Sequence, residues 1–359
     1  MPDGRTTVAT PETGQNKSLL ATTVLVGTAG FAAAEVTISG SARMGITNAY
    51  DTTNDANKTQ FSSRARVNFA ASGETDGGLS FGASFRADNA GDANSGTAGT
   101  VSLSGAFGSI SMGDNDSAAL TTVGQVDGVG FTGNGDLNEI IFLGEADTSA
   151  LYTYTMGDLT IAASMGQIDG DTNYTGNAKQ AASVAASYKM GNYRFSAAIE
   201  RGDKAVYSFS DRADAYATDP EDTYAERNDL TSQVTLGADA TFGALVLKGR
   251  VAMGSGEAYN GLPDEPNGYK TTGTQVAVSA TYTMDALSVT AFGAHAKVAY
   301  DYYGTDWGME STRYGVGASY DLGGGAKAQA GLSRLSHDAL NDDGDWSDTK
   351  MDAGLTFAF

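Results

Sequence analysis

The chain is 359 residues long, carries a formal net charge of −21, and contains 47 glycines, 5 prolines and no cysteine. The acid excess excludes a nucleic-acid partner, which needs a basic stripe to displace counterions from phosphates. Beyond residue 34 no apolar run approaches the roughly 20 residues of a membrane-spanning helix, so any passage through a membrane must use strands, whose alternating signal a hydropathy plot misses.

Residues 18–34, SLLATTVLVGTAGFAAA, follow Lys17 with a short apolar stretch and end in Ala32, Ala33 and Ala34 ahead of Glu35. A basic residue, a brief apolar core and small residues at the cut mark a secretory signal peptide. The expected division is a removable leader over 1–34, with Met1–Asn16 as an over-extended start, and one mature domain over 35–359. The lack of cysteine is compatible with export through an oxidising compartment.

From Glu35 the pattern has period two, with apolar side chains on one face and small or polar ones on the other. Val36, Ile38, Ala42, Met44 and Ile46 alternate with Thr37, Ser39, Ser41, Arg43 and Thr47. Next, Phe61, Ala65, Val67 and Phe69 alternate with Ser62, Arg64, Arg66 and Asn68, and Leu79, Phe81, Ala83 and Phe85 with Ser80, Ser84 and Arg86. Arginines in such rows do not fit a soluble core, whereas a water-filled bore accommodates them.

Short turns are expected at Gly73–Gly78, Gly108-Ser109, Gly157-Asp158, Gly191-Asn192, Phe242-Gly243, Met284–Ala286 and Gly323–Gly325. They alternate with longer acidic segments near 48–58, 88–99, 114–149, 168–178, 202–228, 255–272, 301–310 and 336–347. Short turns at one end and long loops at the other are the layout of bacterial barrels. The fold class expected is therefore all-β, a transmembrane antiparallel β-barrel of about sixteen strands, wide enough for an aqueous channel. Segments 100–107 and 287–300 fit least cleanly, the second because its alternation changes phase around Gly293. Pro220, Pro263 and Pro266 all fall in outer loops, where no ladder donor is lost. Phe107, Tyr188, Tyr193, Phe242, Tyr282 and Tyr320 lie near the short turns, where an interfacial girdle would sit. The last strand ends in an alternating row, Leu355, Phe357 and Phe359, which looks like an assembly signal read by the barrel-assembly machinery.

The segment SSRARVNFAASGETDGGLSFGASFRAD, Ser62 to Asp88, is similar to the second hairpin of the trimeric general porins of Rhodobacter-like alphaproteobacteria, with its Ser-Ser-Arg-x-Arg opening, Glu-Thr-Asp turn and Phe-Gly-Ala return. Beyond that hairpin the resemblance is one of layout over the mature chain. It implies sixteen strands, a homotrimer in the outer membrane, and a third loop folded inward to narrow the pore.

Charge distribution supports such a constriction. No Lys or Arg stands between Arg86 and Lys179. The long segment 114–149 carries Asp114, Asp116, Asp127, Asp136, Glu139, Glu145 and Asp147 mixed with Val129, Phe131, Ile140, Ile141 and Phe142. A loop in open water has no use for that apolar content. It is expected inside the barrel, its carboxylates facing Arg43, Arg64, Arg66 and Arg86 across a transverse field that filters small polar solutes and ions. The alternative is that these arginines bond wall carboxylates. Lys248, Arg250, Lys327 and Lys350 read as ordinary lumen residues, and the acid excess predicts mild cation preference.

No cofactor is required by this reading. Asp169, Asp171, Asp342, Asp343 and Asp345 offer hard oxygen donors for structural Ca²⁺ or for bridging to lipopolysaccharide, although a solvated rim explains each cluster as well. Competing functions are a solute-specific channel or a surface adhesin, for which Tyr216, Tyr224, Tyr259 and Tyr269 are loop candidates. Catalysis finds little support, because His295 and His337 are the only histidines. A soluble solenoid would need a fixed repeat, and none is present.

Overall fold

The computed structural model describes residues 35–51, 56–89, 99–143, 149–166, 181–202, 227–259, 269–302, 305–340 and 345–359. The proposed leader lies outside them. Sixteen strands form one closed antiparallel barrel, each paired with its neighbours in sequence and the first with the last. They are β1 (Glu35–Asp51), β2 (Ala56–Glu74), β3 (Ser80–Asn89), β4 (Thr100–Gly105), β5 (Gly108–Gly113), β6 (Ser149–Met156), β7 (Leu159–Met165) and β8 (Ala181–Met190). The second half comprises β9 (Tyr193–Gly202), β10 (Arg227–Phe242), β11 (Leu245–Tyr259), β12 (Tyr269–Met284), β13 (Leu287–Tyr302), β14 (Thr305–Gly323), β15 (Ala326–Leu340) and β16 (Trp346–Ala358). A short helix, α1 (Ala118–Val123), follows β5 among the described residues.

Burial runs opposite to that of a soluble protein. Met44, Phe61, Phe85, Ile199, Val278 and Met351 are exposed, Phe61 at 91%, while Gln233, Gln275, Glu200 and Thr235 are fully buried. An outer wall in lipid and an inner one in water require this, and closure pairs the backbone groups that an open edge would leave bare in hydrocarbon. The seam is β1 against β16, from Ser41↔Ala358 to Asn48↔Met351. At its foot Phe359 N donates to Gly40 O at 3.0 Å, and Gly40 N donates back to Phe359 O at 2.5 Å. Leu355 and Phe357 stand opposite Met44 and Ala42, in the outward row.

The β2–β3 turn is built from its own residues: Thr75 Oγ1 accepts from Leu79 N at 3.0 Å, and Thr75 O from Gly78 N at 2.9 Å. Gly78 takes φ +80°, a conformation that glycine enters without steric cost. Two other turns sit one or two residues from where the sequence suggests, at Ala106-Phe107 and Gly243-Ala244. The six girdle aromatics named above are all exposed near the short-turn ends.

Several expected loops are shorter than supposed, because the ladder continues through polar sequence. β13 runs to Tyr302 and β14 begins at Thr305, so most of 301–310 is strand. Likewise Tyr259 ends β11 and Tyr269 opens β12. Where both faces are wet, alternation carries no hydropathy signal although the backbone pairing persists. Tyr216 and Tyr224 lie outside the described residues.

Candidate functional site

The long connection after β5, loop 3, lies against the inner wall over its described part, residues 114–143. Small inner residues make room for it. Ala162, Ala185, Ala198, Ala252, Ala277 and Ala294 form an apolar bed with Ala118, Ala119, Val123, Val126, Ile140 and Phe142 of the loop. Glycines do the same further round. A Cβ at Gly45 would stand 2.8 Å from the Phe131 ring, one at Gly317 2.8 Å from Val129 Cβ, and one at Gly237 2.9 Å from Val123 Cγ1. Such approaches forbid any larger residue without displacing the loop.

Polar side chains then fasten it, strand by strand. Ser117 caps α1 by accepting from Leu120 N at 3.1 Å and itself donates to Glu200 Oε1 at 3.4 Å. Ala118 N donates to Ser164 Oγ at 2.8 Å and Ala119 N to Ser183 Oγ at 3.0 Å. Asp239 pairs with Arg194 at 2.7 Å and Arg250 at 2.6 Å. Those arginines donate onward to the loop carbonyls of Thr122 and Gly124. Gln233 and Gln275 hold Ile141, whose N donates to Gln275 Oε1 at 2.8 Å and whose O accepts from Gln233 Nε2 at 2.8 Å. Farther round, Asp352 accepts from Thr132 N at 2.7 Å and Phe131 N at 3.2 Å. Arg313 donates to Glu139 O at 3.0 Å. The loop therefore lines the wall from β7 to β16.

The arginines sit on the complementary arc. Arg43 on β1 and Arg64 on β2 are directly opposite in register. Arg64 lies within electrostatic reach of Arg43, Arg66 and Arg86. Arg66 and Arg86 share one wall carboxylate, Asp88, at 3.0 and 2.6 Å. Both readings of these residues are thus represented: two bond a wall carboxylate, while Arg43 reaches the loop, donating to Thr132 O at 3.4 Å.

The acidic candidates divide. Asp136 is exposed at the loop tip with φ +55° and acts electrostatically on Arg43, as does Asp352. Asp114 and Asp116 are exposed where the loop leaves β5. Glu139 is half-buried beside Arg313. Asp127 does not join the arginines on β1 to β3. Lys248 on β11 holds it at 2.5 Å, and Thr281 on β12 donates to it at 3.0 Å. Glu145 and Asp147 lie outside the described residues.

Sequence reasoning missed the anchors. Arg250 and Lys248, read as ordinary lumen residues, fix the loop, Arg250 at 2% exposure. Asp239, Glu200, Gln233, Gln275 and Asp352 were not singled out. Inward polar residues among strands otherwise lined with Ala, Ser and Gly were the available signal. Of the Ca²⁺ candidates only Asp345 is described, and it accepts from Ala339 N at 3.0 Å. No cluster of three metal-ligating side chains occurs among the described residues.

A family model described as Gram-negative porin matches residues 21–340. A porin of Rhodobacter capsulatus is 36% identical over 345 residues, covering 90% of this chain and 100% of that protein. A solved structure described as porin superposes with a TM-score of 0.66 at 32% identity, over 90% of this chain and 100% of its own. OmpT of Vibrio cholerae, in trimer form, gives 0.68 at 15% identity over 91% and 99% of the two chains. The anion-selective porin from Comamonas acidovorans gives 0.62 at 17% over 91% and 100%. The last two likenesses speak for the fold alone. A closed sixteen-strand wall, a loop laid inside it and a family match over most of the sequence lead to one conclusion: the chain belongs to the Gram-negative porins and is a diffusion channel of the outer membrane.

Proposed function

We propose that solutes cross between the free edge of loop 3 and the wall of β1 to β3, through a transverse field set by Arg43, Arg64, Arg66 and Arg86 on one side and Asp136, Asp114, Asp116 and Glu139 on the other. The observation that carries this reading is the fastening of the loop from β7 to β16, its tip reaching Arg43 on β1, which leaves Arg64, Arg66 and Arg86 beyond its edge. Polar solutes with a dipole reorient in such a field, while apolar ones lose hydration and gain no partner. The molecule acts as a general channel for small hydrophilic solutes and ions, with mild cation preference from its acid excess.

A homotrimer accompanies this function. The described strands β4 and β5 are only 6 residues long, and beside them Phe81, Phe85, Val101 and Met112 present an exposed apolar face suited to another copy. Lipopolysaccharide meets the polar outer rim, and Leu355, Phe357 and Phe359 serve recognition by the assembly machinery. This reading assigns no catalytic role. His295 on the outer wall touches Thr312 Oγ1 at 3.3 Å and Glu310 Oε1 at 3.6 Å, but the amides around it belong to ladders with β12 and β14, leaving no oxyanion donors.

Reversal potential across a planar bilayer in a salt gradient tests the assignment. A small potential of cation sign is expected. Strong anion preference would overturn the acidic edge assigned to loop 3.

A further inference from the structure

On the outer face of β14, β15 and β16 the register stacks three rows. Leu332 pairs with Val316 and Met351, and all three are exposed and apolar. In the next row toward the long-loop end, Arg334 pairs with Tyr314 and Thr349, and in the row beyond it Ser336 pairs with Thr312 and Ser347. The hydrocarbon-facing wall therefore turns polar at the level of Arg334. The same step occurs on β12, from Val276 to Thr274. β15 begins at Ala326, which puts Arg334 roughly 20 Å above the short-turn end for a strand tilted by about 40°, in the upper part of an apolar band about 25 Å tall.

Arg334 is exposed on this wall, and a guanidinium there cannot shed its proton. Its Nη1 donates to Thr349 Oγ1 at 3.1 Å and its Nη2 to Ser347 Oγ at 2.9 Å, the second bond drawing the head toward the polar row. Both acceptors are neutral hydroxyls, so they fix the head without balancing its charge. No carboxylate stands within ion-pair distance of it among the described residues. The outward carboxylates of these two strands, Asp338 and Asp345, stand two rows beyond the Ser336 and Ser347 row and one beyond it respectively, and Asp345 is taken up by Ala339 N. β15 is also remote in the strand order from β4 and β5, so a second copy docked on those strands does not cover Arg334. A cation placed at the edge of hydrocarbon, held by hydrogen bonds and left without a counter-charge, calls for an anion from the membrane itself.

We propose that Arg334 is the docking point for a phosphate of the glycolipid that forms the outer leaflet. The phosphate accepts from the planar guanidinium fork, a geometry that suits tetrahedral oxyanions. An acyl chain of the same molecule lies on Leu332, Val316 and Met351 beneath it, and sugar hydroxyls meet Thr312 and Ser336 above it. The row of hydroxyl side chains beyond the cation favours a sugar headgroup over a glycerol one. The inference rests on the reading that lipopolysaccharide meets the outer rim, and it names the residue and the chemical group through which it does so.

The test uses the full-length barrel folded in detergent and titrated with lipid A, the bisphosphorylated glycolipid anchor of lipopolysaccharide, with native mass spectrometry reading the bound fraction. The same glycolipid stripped of its phosphates should bind at least tenfold more weakly, and phosphatidylglycerol at least fivefold more weakly. Arg334→Gln should bring lipid A down to the level of the dephosphorylated glycolipid. If that variant fails to fold, the double variant Ser347→Ala, Thr349→Val keeps the charge and frees the head, and should weaken lipid A severalfold while leaving the dephosphorylated glycolipid unchanged. Equal binding of the two glycolipids, or undiminished lipid A affinity in both variants, overturns the proposal. Phosphatidylglycerol bound as tightly as lipid A overturns the choice of a sugar headgroup. The two levels separate cleanly: a barrel that holds both glycolipids alike loses only the phosphate site, whereas one that holds neither loses the outer-rim reading as well.

Discussion

Arg43 and Arg64 face each other across the β1–β2 ladder, a pairing of like charges that destabilises a sheet by roughly 0.2–1 kcal/mol. Asp88 compensates Arg66 and Arg86 and leaves that pair to the bore and the loop tip. Arg64→Gln should therefore act on stability and on selectivity in opposite directions. The midpoint of thermal unfolding in detergent should hold or rise slightly, while the reversal potential moves toward cations by about twofold or more in permeability ratio. A shift toward anions would show that Arg64 points away from the conducting path. These arginines were legible in the sequence because they interrupt rows of apolar residues. Asp127 was not. Alternation tells which side chains are inward, but only the path of the loop decides which inner wall a carboxylate meets, and that path brings Asp127 to Lys248.

At the scale of the element, loop 3 illustrates how shape and polarity share the work of placement. Gly331 lies under Gly130, where a Cβ would stand 2.5 Å from the loop nitrogen, and Asp352 accepts three bonds from Phe131 and Thr132. Gly331→Val should push the tip into the bore, lowering single-channel conductance and adding current noise. Asp352→Asn should loosen the same tip, since hydrogen bonds to a charged group contribute about 1.5–3 kcal/mol each. Proteolysis of loop 3 should then quicken, with the barrel intact on a gel. Unchanged conductance in Gly331→Val would mean that the loop's position is set by its polar anchors alone. The loop's inward fold was legible from its apolar content, whereas α1 was not: AALTTV is too short for a helical period. The phase change near Gly293 also resolves here. Phe292, Ala294, Ala296 and Val298 are buried on the inner face, the first of them against Val129 and Leu137 of the loop, while His295 and Lys297 pair outward with Val276 and Thr274. A strand covered inside by an apolar loop and topped outside by polar residues inverts the pattern expected of a wetted wall.

For the whole molecule the decisive step is closure. A sheet of fifteen pairings with an unmade seam exposes two rows of peptide groups to lipid, each costing several kcal/mol when unsatisfied. The seam ends on the chain terminus: Phe359 exchanges two backbone bonds with Gly40, and a Cβ on Gly40 would meet the Phe359 ring, 2.9 Å from Cδ2. Glycine at 40 and phenylalanine at 359 thus form one fitted joint, which explains in physical terms why the last strand ends in an apolar residue. Removal of Phe359 takes away two hydrogen bonds of about 1 kcal/mol each and the ring that covers the joint. The folded barrel should survive that loss, because the rest of the β1–β16 register from Ser41↔Ala358 to Asn48↔Met351 persists. Folding into lipid vesicles should slow several-fold, as closure must then be won without its terminal contact, and heat-dependent gel migration would follow it over time. Gly40→Val offers the reciprocal experiment, displacing the ring while keeping the terminus. If both variants fold at the rate of the parent chain, the seam closes from its extracellular end, and the terminal phenylalanine acts only through the machinery that delivers the barrel.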